Sequence, residues 1–231
     1  MYERYSYRPQ FNFTGPMTPM VKKIIIASIA VYVLQVILQL QRIEFVSYLG
    51  LIPYQVMHNY FVYQLASYMF LHGGLMHLII NMFVLSMFGG EIEYALGSKR
   101  FLFYYLLCGV GSGVVTSIFL SDSLIPVVGA SGAIYGLLLA YGLFFPNRMV
   151  LFMFLFPIKV KYMVVIFAFI EFMSTINYSQ DGISHVTHLG GMIIGLMYLL
   201  WFRGNLNIRG MKKQLRKFTQ DEDHDEHMTL H

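Results

Sequence analysis

Apolar residues in this chain come in long blocks rather than in alternation with polar ones. Six blocks can be drawn as membrane-crossing helices, at about residues 24–40, 74–90, 101–120, 131–145, 162–175 and 186–201, with residues 67–71 leading into the second and the fifth reaching toward residue 178. A crossing helix needs ~20 apolar residues, so the fourth block is unusually short. "VLFMFLFP" (150–157) is apolar, but it is too short to cross and is stopped by Pro157, and it reads as an interfacial or buried connector. The segment 42–63 contains "FVSYLGLIPYQVMHNYFVY", aromatics mixed with polar residues, the composition of chain lying at headgroup depth. No sustained period-two alternation suggests a barrel. The expected fold is all-α: a polytopic membrane protein with six transmembrane helices.

Composition agrees with this class. The 231 residues are 57% hydrophobic and 12% charged, with mean hydropathy +0.58, whereas a soluble domain carries ~25% charged residues. Charge adds orientation, because Lys and Arg concentrate in cytoplasmic loops. Arg42 is the single exception among 16 cationic residues to a six-span arrangement with both termini inside. Three regions follow: a cytoplasmic N-terminal segment (1–23), a membrane domain (24–203) and a charged cytoplasmic tail (204–231). The first segment has no apolar core of a signal peptide, so the first span is expected to target the chain. The tail ends "QDEDHDEHMTLH" and reads as solvated and disordered. Cys108 is the only cysteine and forms no internal disulfide.

Polar residues inside spans are costly and are candidates for function. In the six-span arrangement, His77 and Asn81 lie in the first turns of the second span, Ser131 opens the fourth, and His188 opens the sixth. All four fall near the outer ends of helices that run in parallel. A serine hydroxyl becomes a nucleophile when a base takes its proton, and histidine is the usual base. His77 and Asn81, four residues apart on one helix face, are candidate oxyanion donors, together with the Ser131 backbone N–H at a helix N-terminus. Tyr135 lies one turn from Ser131 and is placed to support the His188 ring. Gly191 and Gly195 follow His188 at +3 and +7, a small-residue stripe that admits a close helix. If that helix is the fourth, with Gly132 and Gly136 on its own small face, Ser131 and His188 meet.

Together "HGGLMHLIINM" (72–82), "GGEIEYALGSKR" (89–100), "GASGAIYG" (129–136) and "HLGGMIIG" (188–195) resemble the rhomboid family of intramembrane serine proteases. GxSG alone is weak. Combined with HxxxN before it and HxxGxxxG after it, the signal is strong. The resemblance implies a six-span bundle and a Ser131–His188 dyad without an acid. It also implies oxyanion side chains at His77 and Asn81, with Gly129 in the serine motif. Glu93 and Gly97 match a structural feature at the inner end of the second span. The implied reaction is hydrolysis of transmembrane protein substrates through an acyl-enzyme, in a multi-pass protein of a bacterial-type cell membrane. No metal, cofactor or nucleic acid is called for. His185, one turn before the base, reads as peripheral. The Trp-Arg pair that some members carry in the first external loop has no counterpart here, since the only tryptophan is Trp201.

Two rivals remain open. One is a metal-binding transporter or metallopeptidase using His72, His77, His185 and His188, with Glu171 the one acid that could join them, although no HExxH motif is present. The other is a non-catalytic relative that binds membrane clients.

Overall fold

A computed structural model describes residues 17–152, 155–177 and 184–202. The first sixteen residues and the tail after residue 202 lie outside the described residues, and with them the expected disordered tail and most of the N-terminal segment.

Helix α1 (Pro19–Leu40) is followed by three short helices, α2 (Phe45–Leu49), α3 (Pro53–Asn59) and α4 (Gln64–Ser67), and a 3-10 turn at Tyr68–Phe70. Then come α5 (Leu75–Leu96), α6 (Ser98–Phe119) and α7 (Ser131–Phe144). A two-stranded antiparallel hairpin, β1 (Met149–Phe152) and β2 (Phe156–Lys159), precedes α8 (Val160–Ile176) and α9 (His185–Phe202). The molecule is a helical membrane bundle. Helices α1, α5, α6 and α9 are long and apolar enough to cross a bilayer. At 1.5 Å per residue, the 22 residues of α1, α5 and α6 reach about 33 Å. The 14 residues of α7 reach only about 21 Å, less than a hydrocarbon core of ~30 Å.

Most predicted spans coincide with helices, although α5 runs on to Leu96, past the expected end of the second span at residue 90, and two further differences stand out. Helix α1 begins at Pro19 rather than at residue 24, because its N-terminus is capped from another helix. Thr18 Oγ1 donates to Glu93 of α5 at 2.5 Å, and the Met20 and Val21 N–H groups donate to the same carboxylate at 3.0 and 2.9 Å. Amides of a first turn have no partner inside their helix, and an anion there also meets the positive dipole end. Ser98 Oγ, opening α6, donates to Glu93 Oε1 at 2.5 Å. One buried carboxylate thus closes two helix N-termini. Gly97, at φ +80°, makes the turn between α5 and α6.

The second difference is the connector at 150–157, which forms the hairpin. The ribbon is covered unevenly: Val150 is buried and Phe152 and Ile158 pack on the core, while Met149 and Phe156 are exposed.

The segment 42–63 folds into short helices locked to the strand-like approach to α7. Leu51 and Val127 exchange backbone hydrogen bonds at 2.9 and 2.8 Å, and the Gly129 N–H donates to the Tyr68 carbonyl at 3.0 Å. Buried Gln64 ties the pieces together, accepting from the Ile52 N–H and donating to the Tyr48 carbonyl and to Gln55.

Helix α7 occupies the centre, against α5, α6, α8 and α9. Its contact with α9 is backbone-close. A Cβ on Gly191 would stand 1.9 Å from the Gly132 carbonyl oxygen, and one on Gly136 would stand 3.0 Å from the Gly191 carbonyl oxygen. Gly195 does not serve this contact. It faces Tyr104 and Cys108 of α6, because the next turn of α9 has rotated toward that helix. The outer faces of α1, α5, α8 and α9 present large apolar side chains such as Ile29, Ile80, Phe169 and Ile193, as a lipid-facing surface does.

Candidate active site

Four helix termini and one loop converge at one end of the bundle. Ser131 is the first residue of α7 and His188 lies in the first turn of α9. The glycine contact between these helices brings the two side chains together: His188 Nε2 lies 2.8 Å from Ser131 Oγ. Tyr135, one turn further along α7, stacks on the His188 ring with centroids 4.2 Å apart and planes 9° from parallel. The imidazole is held against a flat aromatic face while its edge meets the serine.

His77 approaches from α5. Its Nδ1 accepts the Gly73 N–H at 3.3 Å, which leaves Nε2 to carry the proton. Gly129, at φ +126°, supplies the space in front of that nitrogen. A Cβ at Gly129 would stand 2.9 Å from His77 Nε2 and 3.7 Å from Ser131 Oγ. A side chain there is excluded twice, by backbone conformation and by room. The small volume it leaves lies between a ring N–H and the serine oxygen. Asn81 is buried, and its Nδ2 donates to the His77 carbonyl at 2.8 Å. One of its two amide hydrogens is thereby committed to its own helix.

The loop before α5 is clamped by Gln35 of α1, which donates to the His72 carbonyl at 2.8 Å and accepts the His72 N–H at 3.2 Å. His72 sets its ring edge-on to His77, with centroids 5.3 Å apart. Gly132 admits Ser112 of α6 and Thr187 of α9, and Thr187 Oγ1 meets Thr116 Oγ1 at 2.8 Å.

Two expectations need correction. His185 is not peripheral: it is buried, with Nδ1 2.5 Å from Glu171 Oε2. The expected dyad without an acid has a carboxylate beside it. Glu171 points inward from α8, 4% exposed, with Oε1 3.0 Å from His188 Nδ1. That contact has the separation of a hydrogen bond but not its alignment, since Nδ1 makes no aligned bond. Tyr135 Oη donates to the same carboxylate. Glu171, His185 and His188 offer ligand atoms within 4.8 Å of one another, so a carboxylate does accompany the histidines in space. The signal available in the sequence was a lone acid in an apolar span. Nothing in one dimension told which helix its face would meet.

The sequence matches the Rhomboid domain family over residues 60–205. The chain belongs to the rhomboid family. Among its relatives is RHOMBOID-like protein 2 of Arabidopsis thaliana, 40% identical over 83 residues, which are 36% of this chain and 26% of that one. The YdcA protein of Bacillus subtilis (strain 168) is 32% identical over 145 residues, 58% of this chain and 66% of YdcA. Rhomboid protease GluP of the same organism is 35% identical over 127 residues, 54% of this chain and 23% of GluP. The chain thus spans about a quarter of the length of the Arabidopsis relative.

Proposed function

We propose that this protein is an intramembrane serine endopeptidase that cuts transmembrane protein substrates. The observation that carries the reading is the 2.8 Å contact between Ser131 Oγ and His188 Nε2, in a chain of the rhomboid family. Ser131 attacks the scissile carbonyl as His188 takes its proton. The carbonyl oxygen becomes an oxyanion in the space before Gly129, facing the His77 Nε2–H, the second Asn81 amide hydrogen and the free N–H of Ser131. His188 then gives its proton to the leaving amine. Water repeats the sequence on the acyl-enzyme and frees Ser131.

A membrane helix hides its carbonyls in its own hydrogen bonds, so the substrate unwinds to be cut. Both termini of the enzyme are assigned to the cytoplasmic side from the cationic loops, which puts the site near the external interface. The test is labelling by a fluorophosphonate probe beside cleavage of a model transmembrane substrate. Label and cleavage are expected in the wild type and lost in Ser131→Ala and His188→Ala. Equal labelling of the variants discards the assignment.

A second reading, a metal site, is favoured by the Glu171–His185–His188 cluster, whose donor types suit zinc. It requires stoichiometric zinc by elemental analysis and loss of activity with chelator.

A further inference from the structure

We infer that Glu171 is a positioning residue that turns the Ser131–His188 pair into a three-membered relay. The inference rests on the protease reading and concerns a residue on α8, a helix that carries none of the nucleophile, base or oxyanion groups. A carboxylate buried among apolar side chains is costly unless each oxygen is satisfied. Here both oxygens have partners from two other helices. Oε1 receives the Tyr135 hydroxyl of α7 and faces His188 Nδ1 at 3.0 Å, and Oε2 meets His185 Nδ1 of α9 at 2.5 Å. The carboxylate is therefore held against rotation. Its side chain gathers the ring stacked on the base, the base itself and the residue one turn before the base.

The chemical consequence follows from donor counting. An ionised carboxylate only accepts, so the His188 nitrogen that faces it carries a proton. That proton sits on Nδ1 and leaves Nε2 as the bare acceptor, 2.8 Å from Ser131 Oγ. The opposite tautomer would point a proton at the serine and could not take one. During attack the Ser131 proton moves to Nε2, the Oγ–C bond forms, and the carbonyl π pair moves to oxygen. The imidazolium then stands beside the Glu171 charge. Glu171 keeps its own ionisation throughout. The loose alignment at Nδ1 is what resting sites show before substrate tightens them.

The experiment uses the full chain in nanodiscs with a model transmembrane substrate and a fluorophosphonate probe. Glu171→Gln removes the charge and keeps the shape. It is expected to lower kcat and the labelling rate together by on the order of 10²-fold or more, with KM changed less than about twofold, as for a loss felt only in the transition state. Glu171→Asp, which keeps the charge, is expected to recover at least part of that loss. Wild-type turnover and labelling in a folded Glu171→Gln protein overturns the relay. Should that variant fail to fold, the wild type decides the matter. In ¹⁵N spectra of histidine-labelled protein, His188 is expected as the Nδ1–H tautomer, with its signals assigned by their loss in His188→Asn. An Nε2–H tautomer overturns the proposal. So does stoichiometric zinc that is lost in Glu171→Gln, with cleavage abolished by chelator. Labelling of wild type but not Ser131→Ala, with Glu171→Gln at full rate, sinks only the relay. Equal labelling of wild type and Ser131→Ala sinks the protease reading beneath it.

Discussion

Glu93 and Glu171 are both carboxylates buried in the bundle, 2% and 4% exposed, yet they sit among opposite kinds of partner. Glu93 is surrounded by two hydroxyls and two backbone amides at the starts of α1 and α6. None of those donors gives up or takes a proton near neutral pH, so the charge at Glu93 has one use, to join helix ends. Glu171 is surrounded by a phenol and two imidazoles. Two of its three partners are imidazoles, rings that can carry a proton on either nitrogen, and one of them touches Ser131. Each buried charge carries a desolvation cost that its partners must offset. The partners decide whether it holds the fold or serves the chemistry.

That contrast can be broken or sharpened by substitution. The largest effect is expected from Glu93→Ala. It strands the first-turn amides of α1 and the Thr18 and Ser98 hydroxyls, at a cost of about 3 kcal/mol or more. Thermal unfolding in detergent should fall markedly, while the labelling rate per folded molecule stays at the wild-type level. A slowed rate in folded protein would erase the distinction between the two carboxylates.

Gly191→Ala is next. Its Cβ cannot occupy a point 1.9 Å from the Gly132 oxygen, so α7 and α9 must separate. Displacement by about an ångström costs roughly 10²-fold in rate. Cleavage should drop by that order, and an unchanged rate would show that the helix contact does not set the Ser131–His188 distance.

Tyr135→Phe keeps the ring on His188 and removes only the hydroxyl on Glu171. A hydrogen bond to a charged group is worth about 1.5–3 kcal/mol, and part of that should appear as roughly a tenfold fall in kcat. The smallest effect is expected for Thr116→Val, which removes the hydroxyl facing Thr187. It should lower stability by about 1 kcal/mol and leave cleavage kinetics alone, since Thr187 keeps Ser184 as a partner at 2.5 Å.

The sequence by itself determined the membrane class, because blocks of ~20 apolar residues have no other soluble or barrel solution. It also determined where most helices lie: the α7 start at Ser131 and the α9 start within a residue of the expected boundary follow from where small and polar residues interrupt apolar runs. The candidates Ser131, His188, His77 and Asn81 were legible for the same reason, since each is a polar group in an expensive place. The hairpin at Met149–Phe152 and Phe156–Lys159 was not, because an apolar run at an interface carries the same composition as a strand or a helix.

Only the tertiary structure decided the rest. Gly195 turned to α6 rather than α7, His185 went inward, and Glu171 met both histidines, because the rotation and depth of α8 against α9 are set by packing between helices. A periodicity names a face of one helix. The neighbour that covers this face is a property of the whole bundle.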